Sequence, residues 1–200
     1  ATGAAYCWGQ NFGLLGDGTT GRSSSSPVAV SGGLAFRAIS AGGSHTCGVT
    51  TGGAAYCWGG NNSGELGNGM SSTGGLPVIS ARPVAVAGGL TFRTISAGGG
   101  HTCALTLSGA AYCWGDAGYG QLGLPGVRAA SPAAVPGGFL FRSIVAGSYH
   151  TCGITTTGET YCWGANYYGQ LGDGTGAGGP TPRPVLGGLA FQQISAGGNH

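Results

Sequence analysis

A Tyr-Cys-Trp-Gly box occurs four times along the chain, starting at Tyr6, Tyr56, Tyr112 and Tyr161, so successive boxes lie 50, 56 and 49 residues apart. A period near fifty is the mark of one supersecondary unit stacked on copies of itself, since a unit of that size cannot bury its own apolar face alone. Within a unit the phrases keep their order. "FRAIS" (Phe36–Ser40) reads as a short strand, followed by an Ala-Gly-Gly turn, and "HTCGVT" (His45–Thr50) and "AAYCWG" (Ala54–Gly59) read as two more. A Gly/Asn-rich loop comes next. "PVAV" (Pro27–Val30, Pro83–Val86) then supplies a strand begun by proline, where a missing N–H is tolerated.

No segment holds a helical period, so the expected fold is all-β, with tandem four-stranded repeats of ~50 residues forming either β-propeller blades or an open superhelical array of such blades. The chain divides into a partial repeat over 1–35, repeats over 36–91, 92–140 and 141–190, and the start of a further one at 191–200. The extra length of the second repeat falls in "GMSSTGGLPVISARP" (Gly69–Pro83).

The spacing of the cysteines has a geometric meaning. A three-residue loop, Thr51-Gly52-Gly53, pairs Thr50 with Ala54, and counting outward places Cys47 directly opposite Cys57. Opposed residues of an antiparallel pair have Cα atoms ~4.5–5.5 Å apart, within disulfide reach. The same spacing places Cys103 opposite Cys113 and Cys152 opposite Cys162. Such clasps suit an oxidising, extracellular or cell-surface location. The competing reading is zinc held by His45, Cys47 and Cys57, but a hairpin rarely gathers three ligands into a tetrahedron without a fourth from elsewhere. No metal or cofactor is expected.

Glycine supplies 47 of 200 residues without a Gly-X-Y period, which excludes collagen. Charged residues make up only 6%, yet 41% apolar residues at regular positions favour a packed fold over disorder. With a net charge of +2 and no basic cluster, the chain lacks the footprint of a nucleic-acid or anionic-membrane binder. No run approaches the ~18 apolar residues of a membrane span.

The phrase "FRAISAGGSHTCGVTTGGAAYCWGGNNSGELGNG" (Phe36–Gly69) resembles the regulator of chromosome condensation repeat. Its loop appears as "WGGNNSGELGNG" (Trp58–Gly69) and "WGANYYGQLGDG" (Trp163–Gly174), is shortened by one in "WGQNFGLLGDG" (Trp8–Gly18), and loses its Asn in "WGDAGYGQLGL" (Trp114–Leu124). The resemblance covers essentially the whole chain, in a variant with one cysteine pair per repeat, and implies a β-propeller. It also implies that His45, His101, His150 and His200 are structural, each imidazole bonding a backbone carbonyl. Trp8, Trp58, Trp114 and Trp163 would be structural too, with Leu15, Leu66, Leu122 and Leu171 pinning the loops beside them.

Function does not follow from fold. The family's founding member is similar to a nucleotide-exchange factor for a small GTPase on chromatin, a role that needs a basic segment absent from these 200 residues. A secreted bacterial relative resembles a β-lactamase inhibitor that binds through aromatic loops.

Catalytic patterns are lacking: the sequence holds no G-x-S-x-G, H-E-x-x-H or EF-hand. "GDGTTG" (Gly16–Gly21) fits G-x-G-x-x-G, but with so much glycine chance produces roughly two or three such matches, and no helix follows to hold a phosphate. The carboxylates Asp17, Glu65, Asp116, Glu159 and Asp173 are scattered, and Asp17 and Asp173 each precede Gly-Thr as turn formers. The chain is read as non-enzymatic.

A scaffold for structural assembly or for protein contact is the better reading, and the very low charge, the many small residues and one clasp per unit lean towards the structural role. Phe12, Ser63, Tyr119 and Tyr168 occupy equivalent sites in the Trp-Gly loops, Tyr167 lies beside the last, and Tyr149 stands where other repeats carry Ser44, Gly100 or Asn199. Aromatic residues at variable loop positions on a rigid scaffold make a partner-binding surface, though the same rings would also serve by packing on neighbouring repeats. Arg37, Arg93 and Arg142 each follow a phenylalanine and line a structural face. "RSSSSP" (Arg22–Pro27), "MSSTGGLP" (Met70–Pro77) and "TGAGGPTPRP" (Thr175–Pro184) read as exposed insertions. Asn61-Asn62-Ser63 matches a glycosylation sequon, and the Ser/Thr-rich loops offer sites for O-linked sugar.

Cys7 is the second cysteine of a clasp whose first would precede residue 1, and His200 stops before an expected Thr-Cys. Three arrangements fit this phase: part of a longer propeller, a ring of four, or a self-associating filament in which Cys7 pairs with a neighbouring copy.

Overall fold

The computed structural model describes residues 3–72, 76–126 and 128–200, and among them the regular structure is entirely β. Three antiparallel four-stranded sheets follow one another along the chain. The first is β3 (Phe36–Ala41), β4 (His45–Thr50), β5 (Ala55–Gly60) and β6 (Ile79–Ala85). The second is β7 (Phe92–Ala97), β8 (His101–Thr106), β9 (Ala111–Asp116) and β10 (Arg128–Ala134), and the third is β11 (Phe141–Ala146), β12 (His150–Thr155), β13 (Thr160–Gly164) and β14 (Gly179–Pro184). A two-stranded sheet, β1 (Tyr6–Gly9) with β2 (Ser24–Ala29), precedes them. Each four-stranded sheet is a meander, and the first strands β3, β7 and β11 stand next to one another. A cleft of about 190 Å³ runs along the turns that follow them, lined by Gly42, Gly43, Gly98, Gly99 and Gly147.

The hairpins have the register that the cysteine spacing requires. Cys47 faces Cys57, Cys103 faces Cys113 and Cys152 faces Cys162, and all three pairs are disulfides with Cα atoms 4.0–4.1 Å apart. With their sulfurs joined, the cysteines offer no thiolate to zinc.

The fourth strands differ from expectation. They begin before the prolines, and the pairing slips in the middle: Cys57 faces Val84 but Gly59 faces Ser80. Pro83 and Pro132 fall within that slip, where a residue without an N–H disturbs no ladder bond. For the same reason parts of "RSSSSP" and "TGAGGPTPRP" are strand, in β2 and β14, rather than insertion. Part of "MSSTGGLP" lies outside the described residues.

The core lies between the sheets. Trp114 packs with Cys47, Cys57, Leu66 and Phe92, so the indole of one sheet closes over the disulfide and loop of the sheet before it. Trp163 does the same with Cys103, Cys113, Leu122 and Phe141. Indole Nε1 of Trp58, Trp114 and Trp163 donates to the carbonyl oxygens of Leu14, Glu65 and Gln121 at 2.8–2.9 Å, fixing the preceding loop. Glycine is needed where loop meets indole. Gly67 has φ +65° and a Cβ there would lie 2.7 Å from Trp114 Nε1. Leu15, Leu66, Leu122 and Leu171 are all buried, Leu66 beside Trp114 and Leu122 beside Trp163, and Leu171 against Cys152 and Cys162.

Arginine staples join the sheets. Arg37 Nη2 donates to Phe92 O, Arg93 Nη2 to Phe141 O at 2.6 Å, and Arg142 Nη2 to Phe191 O.

Two of the histidines, His45 and His101, bind differently from the expectation. His45 Nε2 meets Thr102 Oγ1 at 2.7 Å and His101 Nε2 meets Thr151 Oγ1 at 2.9 Å, so the partner is a threonine hydroxyl of the next sheet, not a backbone carbonyl. The carbonyl is one bond further on, since Thr102 Oγ1 donates to Glu65 O and Thr151 Oγ1 to Gln121 O. Burial lowers the pKa of His45 to about 4, and burial with His45 and His150 nearby lowers that of His101 to about 3, so both rings are neutral.

Trp58, Trp114 and Trp163, each covered by the unit that precedes it, are fully buried, whereas Trp8 of the first unit is 63% exposed.

Candidate functional site

The Trp-Gly loops are held from within by their own side chains. Asn61 Oδ1 accepts from Leu66 N at 3.0 Å while its amide donates to Met70 O and Asn68 Oδ1; Asn166 repeats the arrangement with Leu171 N, Thr175 O and Asp173 Oδ1. Asn61 is therefore fully buried with its amide committed, which takes the sequon residue out of reach of a glycan in the folded chain. Asp17 and Asp173 accept from Thr19 and Thr175 two residues on, the turn geometry expected of them.

A second acceptor fixes the variable position. Glu65 Oε2, Gln121 Oε1 and Gln170 Oε1 accept from the N–H of Ser63, Tyr119 and Tyr168 at 2.8–2.9 Å. The third loop lacks the Asn, Ala117 standing in its place, and rebuilds the brace otherwise: Gln121 Nε2 donates to Asp116 Oδ2 at 2.7 Å and Gly118 N to Asp116 Oδ1. Burial raises the carboxyl of Glu65, and the nearby Asp116 adds to the shift.

On this braced frame three of the predicted contact residues come together. The rings of Tyr119 and Tyr149 meet edge to face with centroids 5.1 Å apart, and those of Tyr119 and Tyr167 with centroids 6.1 Å apart. All three remain exposed, Tyr167 by 74%. Beside them lies a groove of about 390 Å³ between the third and fourth loops, walled by Tyr119, Tyr167, Leu124, Pro125 and Pro180. Tyr168 is equally exposed. Phe12 is exposed on the first loop and Ser63 half-buried on the second, both outside the tyrosine cluster.

The apolar walls Leu124, Pro125 and Pro180 escaped sequence reading, because they come from two segments more than fifty residues apart that only the stacking of sheets brings together. A second groove, of about 400 Å³ and mainly apolar, runs along β1 between Tyr6, Cys7, Trp8, Leu14, Ile39 and Thr46. The unmatched Cys7 was its only signal in the sequence. Among the described residues no group of three or more His, Cys, Asp or Glu side chains converges to hold a metal ion.

The family model described as "Regulator of chromosome condensation (RCC1) repeat" matches residues 2–49, 52–105, 108–154 and 157–200, and a second model of the same description matches 36–65, 92–121 and 141–170. Among curated proteins, human "Probable E3 ubiquitin-protein ligase HERC4" is 37% identical over 123 residues, 59% of this chain and 11% of that protein. The Arabidopsis thaliana "Ultraviolet-B receptor UVR8" is 34% identical over 121 residues, 60% of this chain and 27% of the receptor. The chain thus matches only a small part of these relatives' length. Among solved structures, human WBSCR16 superposes with a TM-score of 0.86 at 24% identity, covering 98% of this chain and 52% of that one. Yeast RCC1 (Prp20), solved bound to Kap60, also gives 0.86, at 21% identity, covering 98% and 48%. These likenesses show the fold.

Proposed function

The chain belongs to the regulator of chromosome condensation repeat family, and from that membership we propose that it is a non-enzymatic scaffold for protein contact, working in an extracellular or cell-surface setting. The observation that carries this reading is the exposed cluster of Tyr119, Tyr149 and Tyr167 beside a groove between two loops. Tyrosine supplies large contact area with few rotamers to freeze, and here the loops beneath are already immobilised by buried amide brackets. Three intrachain disulfides support the oxidising setting. The ligase and receptor activities in the relatives' names belong to proteins of which this chain matches a small part. A β-lactamase partner or a small GTPase would each be a special case of protein contact.

The test is capture from the extracellular fraction of the source with the wild-type chain and with a Tyr119→Ala/Tyr167→Ala variant of unchanged fold. Proteins retained by the first and lost by the second support the reading. An identical set with both contradicts it.

Composition also favours a structural role: only 6% of the residues are charged, 47 are glycine, and each complete repeat carries one disulfide. In this second reading the chain is a subunit of an extracellular filament built by end-to-end continuation of the repeats. Electron microscopy of unreduced material would show fibres with a regular axial repeat; compact particles alone would rule it out.

A further inference from the structure

We infer that Asn68 is a site of spontaneous deamidation, held latent by the junction between the first two four-stranded sheets and yielding an aspartate that the fold accepts. The inference stands apart from the contact surface and from assembly. Asn68-Gly69 is the one Asn-Gly pair in the chain. Gly69 has φ +85°, a backbone conformation that disfavours any side chain, so the position calls for glycine and leaves its nitrogen unshielded beside the Asn68 amide. Asparagine is among the thermolabile residues, and an unhindered following nitrogen is what its cyclisation needs. Asn68 is half-buried and Gly69 exposed, so solvent reaches the pair.

The chemistry consumes water and releases ammonia. The backbone nitrogen of Gly69 gives up its proton to solvent base and attacks Cγ of Asn68. The N–Cγ bond forms, the Cγ–Nδ2 bond breaks, and the departing nitrogen takes up a proton to leave as ammonia. Water then opens the cyclic imide at one of its two carbonyls. Breaking the bond to the side-chain carbon gives aspartate. Breaking the bond to the main-chain carbon gives isoaspartate, with an extra methylene in the backbone. The fold closes the first step. Gly69 N donates to Ala130 O of β10 at 2.8 Å, so the attacking atom is committed across the junction while the loop and the next sheet stay together. The same loop is fixed to that sheet by Trp114 Nε1 on Glu65 O. Deamidation therefore runs through the opened junction, at a rate that follows the population of the open form.

The product fits because two other loops already carry it. Asn68 Oδ1 accepts from Met70 N at 3.1 Å and from Asn61 Nδ2 at 3.2 Å. In the fourth loop Asp173 stands at the same place, and its Oδ1 accepts from Thr175 N at 2.9 Å and from Asn166 Nδ2 at 3.1 Å. In the first loop Asp17 Oδ1 accepts from Thr19 N at 2.9 Å. Each of these bonds uses an oxygen that an aspartate at position 68 retains. Isoaspartate instead lengthens the backbone beside the bond from Gly69 to Ala130 and displaces it.

The test follows residue 68 by peptide mapping of the whole chain, disulfides intact, during incubation in mildly alkaline buffer. The folded chain is expected to deamidate at least about ten-fold more slowly than the same chain unfolded in urea. Trp114→Phe removes the indole bond to Glu65 O in this loop and should raise the folded rate by at least about three-fold. Trp163→Phe removes the matching bond to Gln121 O one junction further on and should leave the rate at residue 68 unchanged. Asn68→Asp should unfold at the same urea concentration as the parent chain. Equal rates in the folded and unfolded chain, or a rate no more responsive to Trp114→Phe than to Trp163→Phe, would overturn the gating by the junction. A lowered midpoint for Asn68→Asp would overturn the acceptance of the product.

Discussion

His101 and Thr151, on neighbouring sheets, are joined by a hydrogen bond of 2.9 Å whose direction is fixed by the next bond in line. The single hydroxyl proton of Thr151 goes to Gln121 O at 2.8 Å, so the threonine oxygen must accept and His101 must carry its proton on Nε2. Nδ1 is then a buried acceptor without a partner, as it is in His45, which is bound in the same way to Thr102. The relay ties imidazole, hydroxyl and loop carbonyl into one path across the two junctions between the four-stranded sheets.

Acid should loosen these junctions. The unfolded histidines take up protons below about 6.5, whereas His45 resists until about 4 and His101 until about 3. In that window the unfolded state binds more protons, so stability is full above about pH 6.5 and falls as pH drops towards 4, with a slope approaching about 1.4 kcal/mol per pH unit for each histidine. Urea unfolding at a series of pH values checks this. Thr151→Val should cost about 1–3 kcal/mol at neutral pH through the unsatisfied groups it leaves.

Tryptophans of identical local sequence should differ sharply. Trp114 is fully buried and Trp8 is 63% exposed. Trp114→Ala is expected to cost about 3–5 kcal/mol and Trp8→Ala no more than about 0.5 kcal/mol. Paired denaturation curves decide the matter, and equal costs would contradict the burial assigned to either ring.

Gly67→Ala tests the contact between loop and indole. With φ at +65° and Trp114 Nε1 only 2.7 Å from the new methyl carbon, the substitution strains the backbone and displaces the ring. A loss of about 2 kcal/mol or more is expected. At Gly33, where φ is +64° but no atom lies within 4 Å, the same change should cost only the backbone share of about 1 kcal/mol.

Each disulfide closes a hairpin with a sequence separation of 10. Replacing Cys103 and Cys113 together by serine should lower stability by about 2–4 kcal/mol. Intact mass should rise by two hydrogens per disulfide on reduction, three pairs in all, with Cys7 reactive to alkylation beforehand.

The hairpin register was legible because it follows from counting: one loop length and a period of two place Cys47 against Cys57 whatever surrounds them. The order of strands and the loops pinned by leucine were legible for the same reason, as local patterns repeated four times. What escaped were relations between sheets. The threonine that receives each imidazole lies about fifty residues away, and Pro125 and Pro180 share a groove only because two sheets stack. The proline strands were misplaced at their starts because a slip in pairing admits proline mid-strand, a property of the neighbour's ladder rather than of the residue.

Site-specific photo-crosslinking tests the role in protein contact most directly. A benzophenone side chain would replace Tyr167 in one preparation and Leu107 in another; Leu107 is 68% exposed in the β8–β9 turn, at the opposite end of the strands from the Trp-Gly loops. Each preparation would be irradiated in the extracellular medium of the source. The account predicts discrete adducts with another protein from position 167 and none from position 107. Adducts of equal yield from both positions, or none from 167, would contradict a contact surface built on the tyrosine cluster.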